Sequence, residues 1–170
     1  MTDAYRILRS NSAIYIFCHW SKWADLSKNV EQVGFKIKNM IVMNKSNHGM
    51  GDLKGSYAPK HELLMYAVKG RHTLIGRRIP DIWDVPIQPS LKDKRPHPNT
   101  KMISWMEPAI LHSSEPGQTV LDPFAGVGST PLAAYKNNRG FIGIEISPEY
   151  HALGLKRLTE EGCVSIKNSI

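Results

Sequence analysis

The stretch VLDPFAGVGST, Val120 to Thr130, indicates how this chain folds. An apolar run enters Asp-Pro-Phe and a loop containing Gly126 and Gly128, and a predicted helix starts at Ser129. Because glycine has no side chain, backbone amides in such a loop can approach a ligand closely, next to the positive end of the helix. The order strand, glycine loop, helix is typical of a nucleotide-binding crossover unit.

A second predicted strand, GFIGIEI from Gly140 to Ile146, brings an acidic residue to the same place. Glu145 lies 23 residues beyond Asp122, close to the spacing of about 20 residues at which an acid meets ribose hydroxyls. Asp122 is suited to an ammonium group, and Phe124 is suited to cover a ring face. A dinucleotide would favour the longer G-x-G-x-x-G, which is absent. We therefore predict S-adenosylmethionine as the cofactor, with a purely structural turn as the alternative.

The composition is that of an ordinary globular chain. At 170 residues it has the length of one domain, so we expect a single domain over 1–170. Cys18 and Cys163 are too few for a disulfide framework, and no ligand spacing predicts a metal site. The most apolar stretch, Ala13 to Trp20, is far too short to cross a bilayer. We expect a cytoplasmic protein without membrane contact.

Positive charge is concentrated in the middle of the chain. Residues 35–95 hold 12 Lys and Arg against 5 Asp and Glu, which equals the whole net charge of +7. This distribution favours nucleic-acid phosphate as a partner over a merely solvated surface. The candidate phosphate contacts are Arg77, Arg78, Lys92, Lys94 and Arg95.

Periodicity predicts alternating helices and strands, with one irregular stretch. The segment from Arg71 to Asn99 holds five of the eleven prolines and shows little periodicity, and Trp83 within it has no clear role. Trp105 is assigned to the core. Before the irregular stretch we predict two helices, Thr2–Arg9 with Ala4, Ile7 and Leu8 as its apolar residues and Ser21–Gly34 with Trp23, Leu26, Val30 and Val33 on one face. The strands predicted there are Ser12–Phe17 and an antiparallel pair, Phe35–Lys45 and His61–Gly70. After it we predict helices over Thr100–Ser113 with an Ile103, Met106, Ile110 and Leu111 stripe, over Ser129–Asn137 and over Ser147–Glu161 capped by Ser147, and a short last strand over Cys163–Ile166.

The block HPNTKMISWMEPAILHSSEPGQTVLDPFAGVGSTPLAAYKNNRGFIGIEISPEYHALGLKRL, His97 to Leu158, resembles the C-terminal half of the permuted DNA amino-methyltransferases. DAYRILRSNSAIYIF resembles the helix and strand after that family's catalytic motif, and NMIVMNK with YAPKHELLMYAVKG resembles its hairpin. In this family the catalytic half comes first, a target-recognition region follows, and the cofactor loop comes last. The resemblance covers nearly the whole chain and explains why the glycine loop comes so late.

The resemblance implies an α/β fold: a circularly permuted, Rossmann-like methyltransferase sheet with helices on both faces and an antiparallel hairpin. Its segments would be a catalytic-half remnant at 1–70, a target-recognition segment at 71–99 and a cofactor half at 100–170. It implies methyl transfer to an exocyclic amine of double-stranded DNA, with adenine favoured, in restriction-modification or phage settings. The implied cofactor contacts are Asp122, Phe124, Gly126, Gly128 and Glu145. Thr100 and Lys101 would lie near the methionine end of the cofactor. Ser129, at the start of the helix after the loop, is a further candidate contact.

The family's catalytic tetrapeptide, Asp/Asn/Ser-Pro-Pro followed by an aromatic residue, does not occur in this sequence. In the family its polar groups accept hydrogen bonds from the target amine while the ring stacks on the flipped base. We therefore identify no catalytic residue and expect a truncated methyltransferase that lacks one central strand. Without that strand the sheet would either split and expose two edges, or the two flanking strands would pair directly.

Three hypotheses remain open from sequence. The chain is a methyltransferase domain whose missing N-terminal segment is supplied by a complementing fragment, a second protomer or a longer natural start, or it is a non-catalytic remnant that binds DNA, S-adenosylmethionine or both. The third is a small-molecule or RNA methyltransferase that uses an unrelated group such as Asn44 or His61, which the basic middle segment and the family pattern disfavour.

Overall fold

The computed structural model describes residues 1–49, 52, 54–85 and 101–163. The chain divides into two compact units, Met1–Ile87 and Gln88–Ile170. The division of 1–170 into the three segments named above stays a prediction. No helix among the described residues is both long and apolar enough to cross a membrane.

The first unit is built on a four-stranded sheet. Its elements are α1 (Thr2–Ile7), β1 (Ser12–Cys18), a 3-10 turn (Trp20–Lys22), α2 (Trp23–Gln32), β2 (Lys36–Lys45), β3 (His61–Lys69) and β4 (Ile82–Val85). The strand order is β1-β3-β2-β4. β3 runs antiparallel to both neighbours, and β4 runs parallel to β2. The predicted antiparallel pair is therefore confirmed, with a bulge between Ile37 and Asn39.

One strand contradicts the sequence analysis, since β4 lies in the segment predicted to be irregular. Val42 N donates to Asp81 O at 2.8 Å as β4 begins. The side-chain amides of Asn39 and Asn44 donate to Asp81 and Asp84, at 3.1 and 2.7 Å. A four-residue strand is too short for a recognisable pattern, and it exists because β2 offers an edge to pair with.

The core between α2 and the sheet follows the predicted apolar face. Val30, Phe35, Met65 and Ala67 are buried, and the other predicted face residues pack around them. The helix predicted over Thr2–Arg9 ends at Ile7, which is 49% exposed, whereas Tyr5 packs edge-on against Phe35 with ring centroids 4.9 Å apart. A six-residue helix is too short for spacing to decide which face is buried.

The second unit contains α3 (Ile103–Ser113), β5 (Thr119–Asp122), α4 (Ser129–Lys136), β6 (Gly140–Gly143) and α5 (Pro148–Glu160). β5 and β6 pair in parallel. Ile110, Ala133 and Ala134 are buried there, with Ile103, Met106, Val120 and Phe141 packed against them. Trp105 is buried as predicted, but Leu111 is 43% exposed and does not belong to the apolar stripe.

Within the described ranges the strands form two separate sheets. β1 pairs only with β3 there, and β5 pairs only with β6. The expectation that one central strand is missing stays a prediction. The predicted last strand extends beyond Cys163 and lies outside the described residues.

Candidate cofactor-binding site

The glycine loop joins β5 to α4 through left-handed backbone. Gly126 has φ of 54° and Gly128, the N-cap of α4, has φ of 80°. Side chains are strained in this region, which glycine adopts freely. A Cβ at Gly128 would also lie 3.4 Å from the Leu158 side chain. The loop therefore requires glycine at the two positions predicted from the sequence.

The loop is tied to both strand ends by short hydrogen bonds. Asp122 accepts from Phe124 N through Oδ1 at 2.9 Å, which fixes the turn after β5. Ile144 N donates to Asp122 O at 2.9 Å, and Ala125 N donates to Ile144 O at 2.8 Å. The Phe124 side chain is 86% exposed, so its ring is available to cover a planar ligand.

Glu145 holds the loop from the side of β6. Its Oε2 accepts from Gly126 N at 2.8 Å and its Oε1 accepts from Ser147 N at 2.9 Å. The hydrogen bonds from the Ser147 and Gly126 amides lower the pKa of this carboxyl, because they stabilise its charged form. The sequence pointed only to ribose hydroxyls as partners. The structure adds a backbone-holding role, and a carboxylate with about four acceptor positions has capacity for both.

A buried hydroxyl connects α4 to the segment before α3. Ser129 is 6% exposed, and its Oγ donates to Lys101 O at 2.7 Å. The Lys101 ammonium lies 5.3 Å from the centre of the Trp105 ring. The structure thus brings Lys101 and Ser129 together at the loop, while Thr100 lies outside the described residues.

The second unit also contains two contributors that sequence reasoning missed, Gly154 and Arg157 of α5. A Cβ at Gly154 would lie 3.1 Å from Gly126 O, so α5 and the loop touch backbone to backbone. Arg157 Nη1 donates to Val127 O and Ser129 Oγ, both at 3.3 Å. One signal was available, because glycine inside a helix costs about 1 kcal/mol relative to alanine and therefore indicates a packing reason.

The DNA-contact candidates are only partly placed. Arg77 and Arg78 lie in an exposed bend of the first unit. Upstream of this bend, Asn11 Oδ1 accepts from Arg71 N at 2.9 Å. Lys92, Lys94 and Arg95 lie outside the described residues, so their role stays a prediction.

The two groups named for an unrelated chemistry, Asn44 and His61, lie opposite each other on β2 and β3. Asn44 donates its amide to Asp84, which is a sheet-edge contact. His61 lines an open groove of about 440 Å³ together with Trp20, Trp23, Met40, Val42 and Leu63. Among the described residues no group of three or more His, Cys, Asp or Glu side chains could hold a metal ion.

Comparison with known families decides the identity. The family model N6_N4_Mtase, described as DNA methylase, matches residues 1–156. The chain belongs to this family of DNA amino-methyltransferases. The DNA adenine methyltransferase YhdJ of Escherichia coli (strain K12) is 28% identical over 93% of this methylase chain and 64% of its own length. The type II methyltransferase M.HpaI of Haemophilus parainfluenzae is also 28% identical, over 95% of this chain and 58% of its own.

A solved structure supports the same assignment. The M1.HpyAVI–SAM complex superposes with a TM-score of 0.80 at 29% identity, covering 92% of this chain and 79% of that one. The match confirms the Rossmann-like methyltransferase fold. The methylase chain spans less than two thirds of the length of the two curated relatives named above.

Proposed function

We propose that this chain binds S-adenosylmethionine at the glycine loop and serves as the cofactor-binding part of a DNA amino-methyltransferase, with adenine as the favoured target. The observation that carries the proposal is the loop itself. Two left-handed glycines lie between Asp122 and Glu145, and these two carboxylates accept hydrogen bonds from the loop amides of Phe124 and Gly126.

The side chains around the loop match the chemistry of that cofactor. Asp122 would hold the ammonium group, Phe124 would cover the adenine ring, and Glu145 would accept from the ribose hydroxyls. Lys101 and Thr100 would lie towards the methionine end. When bound, the sulfonium supplies an already activated methyl group, so the protein has mainly to align amine, methyl and sulfur.

The group that holds the target amine would come from a polypeptide segment outside these residues. This is proposed because the sequence contains no Pro-Pro-aromatic tetrapeptide. β1 pairs on one side only within the described ranges, and an open strand edge accepts a further strand. The segment would belong to another chain, as a complementing fragment or a second protomer, or to a longer natural start of this chain.

The DNA partner is supported by charge. The excess of positive charge in residues 35–95 suits the phosphate backbone, and Arg77 and Arg78 are exposed within it. Such contacts give affinity and register, whereas base identity requires side chains that read base edges. Both DNA and S-adenosylmethionine are available in the cytoplasm, where we place the protein.

The test combines cofactor titration with methyl transfer. The chain is titrated with S-adenosylmethionine by calorimetry, and tritiated methyl transfer to mixed-sequence DNA is then measured with and without an added polypeptide that carries the tetrapeptide. We expect binding by the chain alone and transfer only with the added segment. Absence of cofactor binding would refute the proposal.

The second candidate function is a non-catalytic binder of DNA or cofactor, which the missing tetrapeptide favours. Cofactor binding without transfer under every complementation condition would establish it. Transfer by the chain alone would instead mean that a residue outside the known motif holds the amine.

A further inference from the structure

The glycine loop is supported from behind by α5, through contacts that lie on one face of that helix. Gly154, Arg157 and Leu158 follow one another at helical spacing, so they share a face. Leu158 is the apolar contact of Gly128, and Gly154 lets the helix backbone reach Gly126. The helix and the loop are therefore in close contact at these two glycines.

Arg157 adds a directional contact to this packing. Its Nη1 reaches Val127 O and Ser129 Oγ, both at 3.3 Å. Burial lowers the pKa of the guanidinium, whereas Glu161 and Cys163 raise it. An arginine stays charged under such conditions, and a charged donor makes stronger hydrogen bonds than a neutral one.

Ser129 connects Arg157 to the backbone at Lys101 through its hydroxyl group. Because its Oγ accepts from Arg157, its single hydrogen points elsewhere, and it donates to Lys101 O at 2.7 Å. Arg157 thus donates to the Ser129 hydroxyl, which in turn donates to the Lys101 carbonyl. Without Arg157 the hydroxyl could rotate, and the segment at Lys101 would lose a fixed anchor to the loop.

We propose that Arg157 is a positioning residue that orients Lys101 for the amino-acid end of S-adenosylmethionine through the Ser129 hydroxyl. The inference rests on the cofactor binding proposed above. It goes beyond that proposal because Arg157 lies behind the loop and acts through Ser129. Its effect is confined to one end of the cofactor, which makes it separable from a general loss of loop structure.

The test compares two ligands in three variants of the full chain. S-adenosylmethionine carries the amino-acid end, and 5′-methylthioadenosine lacks it while keeping the adenosine and the sulfur. For Arg157→Met and Ser129→Ala we expect the affinity for S-adenosylmethionine to fall about tenfold, with 5′-methylthioadenosine affinity within about twofold of the wild-type value. The double variant should lose little more than either single one, since both changes break one connected path.

Lys156→Met is the matched control, because it removes a cation from the solvent side of the same helix. Its side chain is 74% exposed and pairs only loosely with Glu160, at 3.9 Å. It should bind both ligands as the wild type does. If Arg157→Met fails to fold, Ser129→Ala tests the same path from its other end.

The outcomes separate the inference from the proposed function. Equal losses for both ligands, or no loss for either, would overturn the positioning role while leaving cofactor binding intact. A wild-type chain that binds neither ligand would overturn both. Restored preference for S-adenosylmethionine in Arg157→Lys, which keeps the charge and a donating nitrogen, would support the role of a charged donor.

Discussion

The glycine loop and the basic middle segment differ in how their backbones are held. The bond from Gly126 to Glu145 spans 19 residues and the turn at Asp122 spans two. In the first unit, the Lys69 ammonium donates to the Tyr5 carbonyl across 64 residues, and the Arg71 backbone amide donates to Asn11 Oδ1 across 60. The difference teaches that a local motif can specify its own geometry, whereas the basic segment depends on distant partners.

The largest effect is expected from a change in the buried core of the first unit, where strands distant in sequence pack together. Leu64 is 1% exposed and lies in β3 opposite both Phe17 and Ile41. Leu64→Ala should lower the free energy of unfolding by about 2–5 kcal/mol, because it removes buried methyl groups and leaves a cavity. Urea unfolding measures this. The control is Ile82→Ala at a 59% exposed position, and similar losses for both variants would contradict the assigned core.

The glycine loop, which is held by local contacts, is tested by substitution of Glu145. Glu145→Ala removes the acceptor of two loop amides and should weaken S-adenosylmethionine binding by about tenfold or more, since an unpaired loop amide and a lost ribose contact act together. Calorimetry measures the affinity. Glu149→Ala, the same charge change at an exposed position in the first turn of α5, should leave affinity unchanged. Wild-type affinity in Glu145→Ala would exclude this pocket.

The stability of the fold should also depend on pH through the Glu145 carboxyl of the glycine loop. The folded pKa of Glu145 is lowered, first by the Ser147 amide and then by the Gly126 amide. A lowered carboxyl pKa stabilises the fold fully above its ordinary value of 4.5, and this contribution is lost as pH falls through the folded value. Glu145→Gln should therefore destabilise less at acid pH than at neutral pH. A pH-independent difference in urea midpoint would argue against this charge effect.

The smallest effect is expected at the exposed bend. Arg77→Ala combined with Arg78→Ala should reduce the slope of log affinity for DNA against log salt by about 0.9 for each lost phosphate contact. Fluorescence anisotropy over a salt series measures the slope. Arg9→Ala with Lys28→Ala removes the same charge from exposed positions outside the basic segment, and an equal change in slope would show that only net charge matters.

Sequence reasoning predicted the elements whose patterns are long or carry a motif. The hairpin strands and α2 were correctly assigned because alternation and helical spacing extend over about ten residues. It missed β4, whose four residues are too few for a periodic pattern. It also counted Ile7 and Leu111 among the apolar residues at helical spacing, and the structure leaves both exposed, because local spacing does not show which neighbours arrive from elsewhere.

In the candidate site, too, residues within one local motif were predicted from the sequence, whereas contacts from distant elements were not. Asp122, Phe124, Gly126, Gly128 and Glu145 were predicted as cofactor contacts because they belong to one strand, loop and strand unit whose spacing is visible in the chain, and this assignment stays a prediction. The backbone-holding role of Glu145 was not visible, because hydrogen bonds to amides leave no composition signal. Arg157 was also missed, since an arginine in an amphipathic helix is ordinarily solvated.

The sequence by itself determined the family, the glycine-loop motif and the absence of the catalytic tetrapeptide, because these depend on residue types at short, fixed spacings. Only the tertiary structure decided that the described strands form two sheets, that β4 exists, and that α5 holds the loop through Gly154 and Arg157. The physical reason is that pairing and burial depend on which surfaces meet. That choice is made by the free energy of the whole fold and not by any one segment.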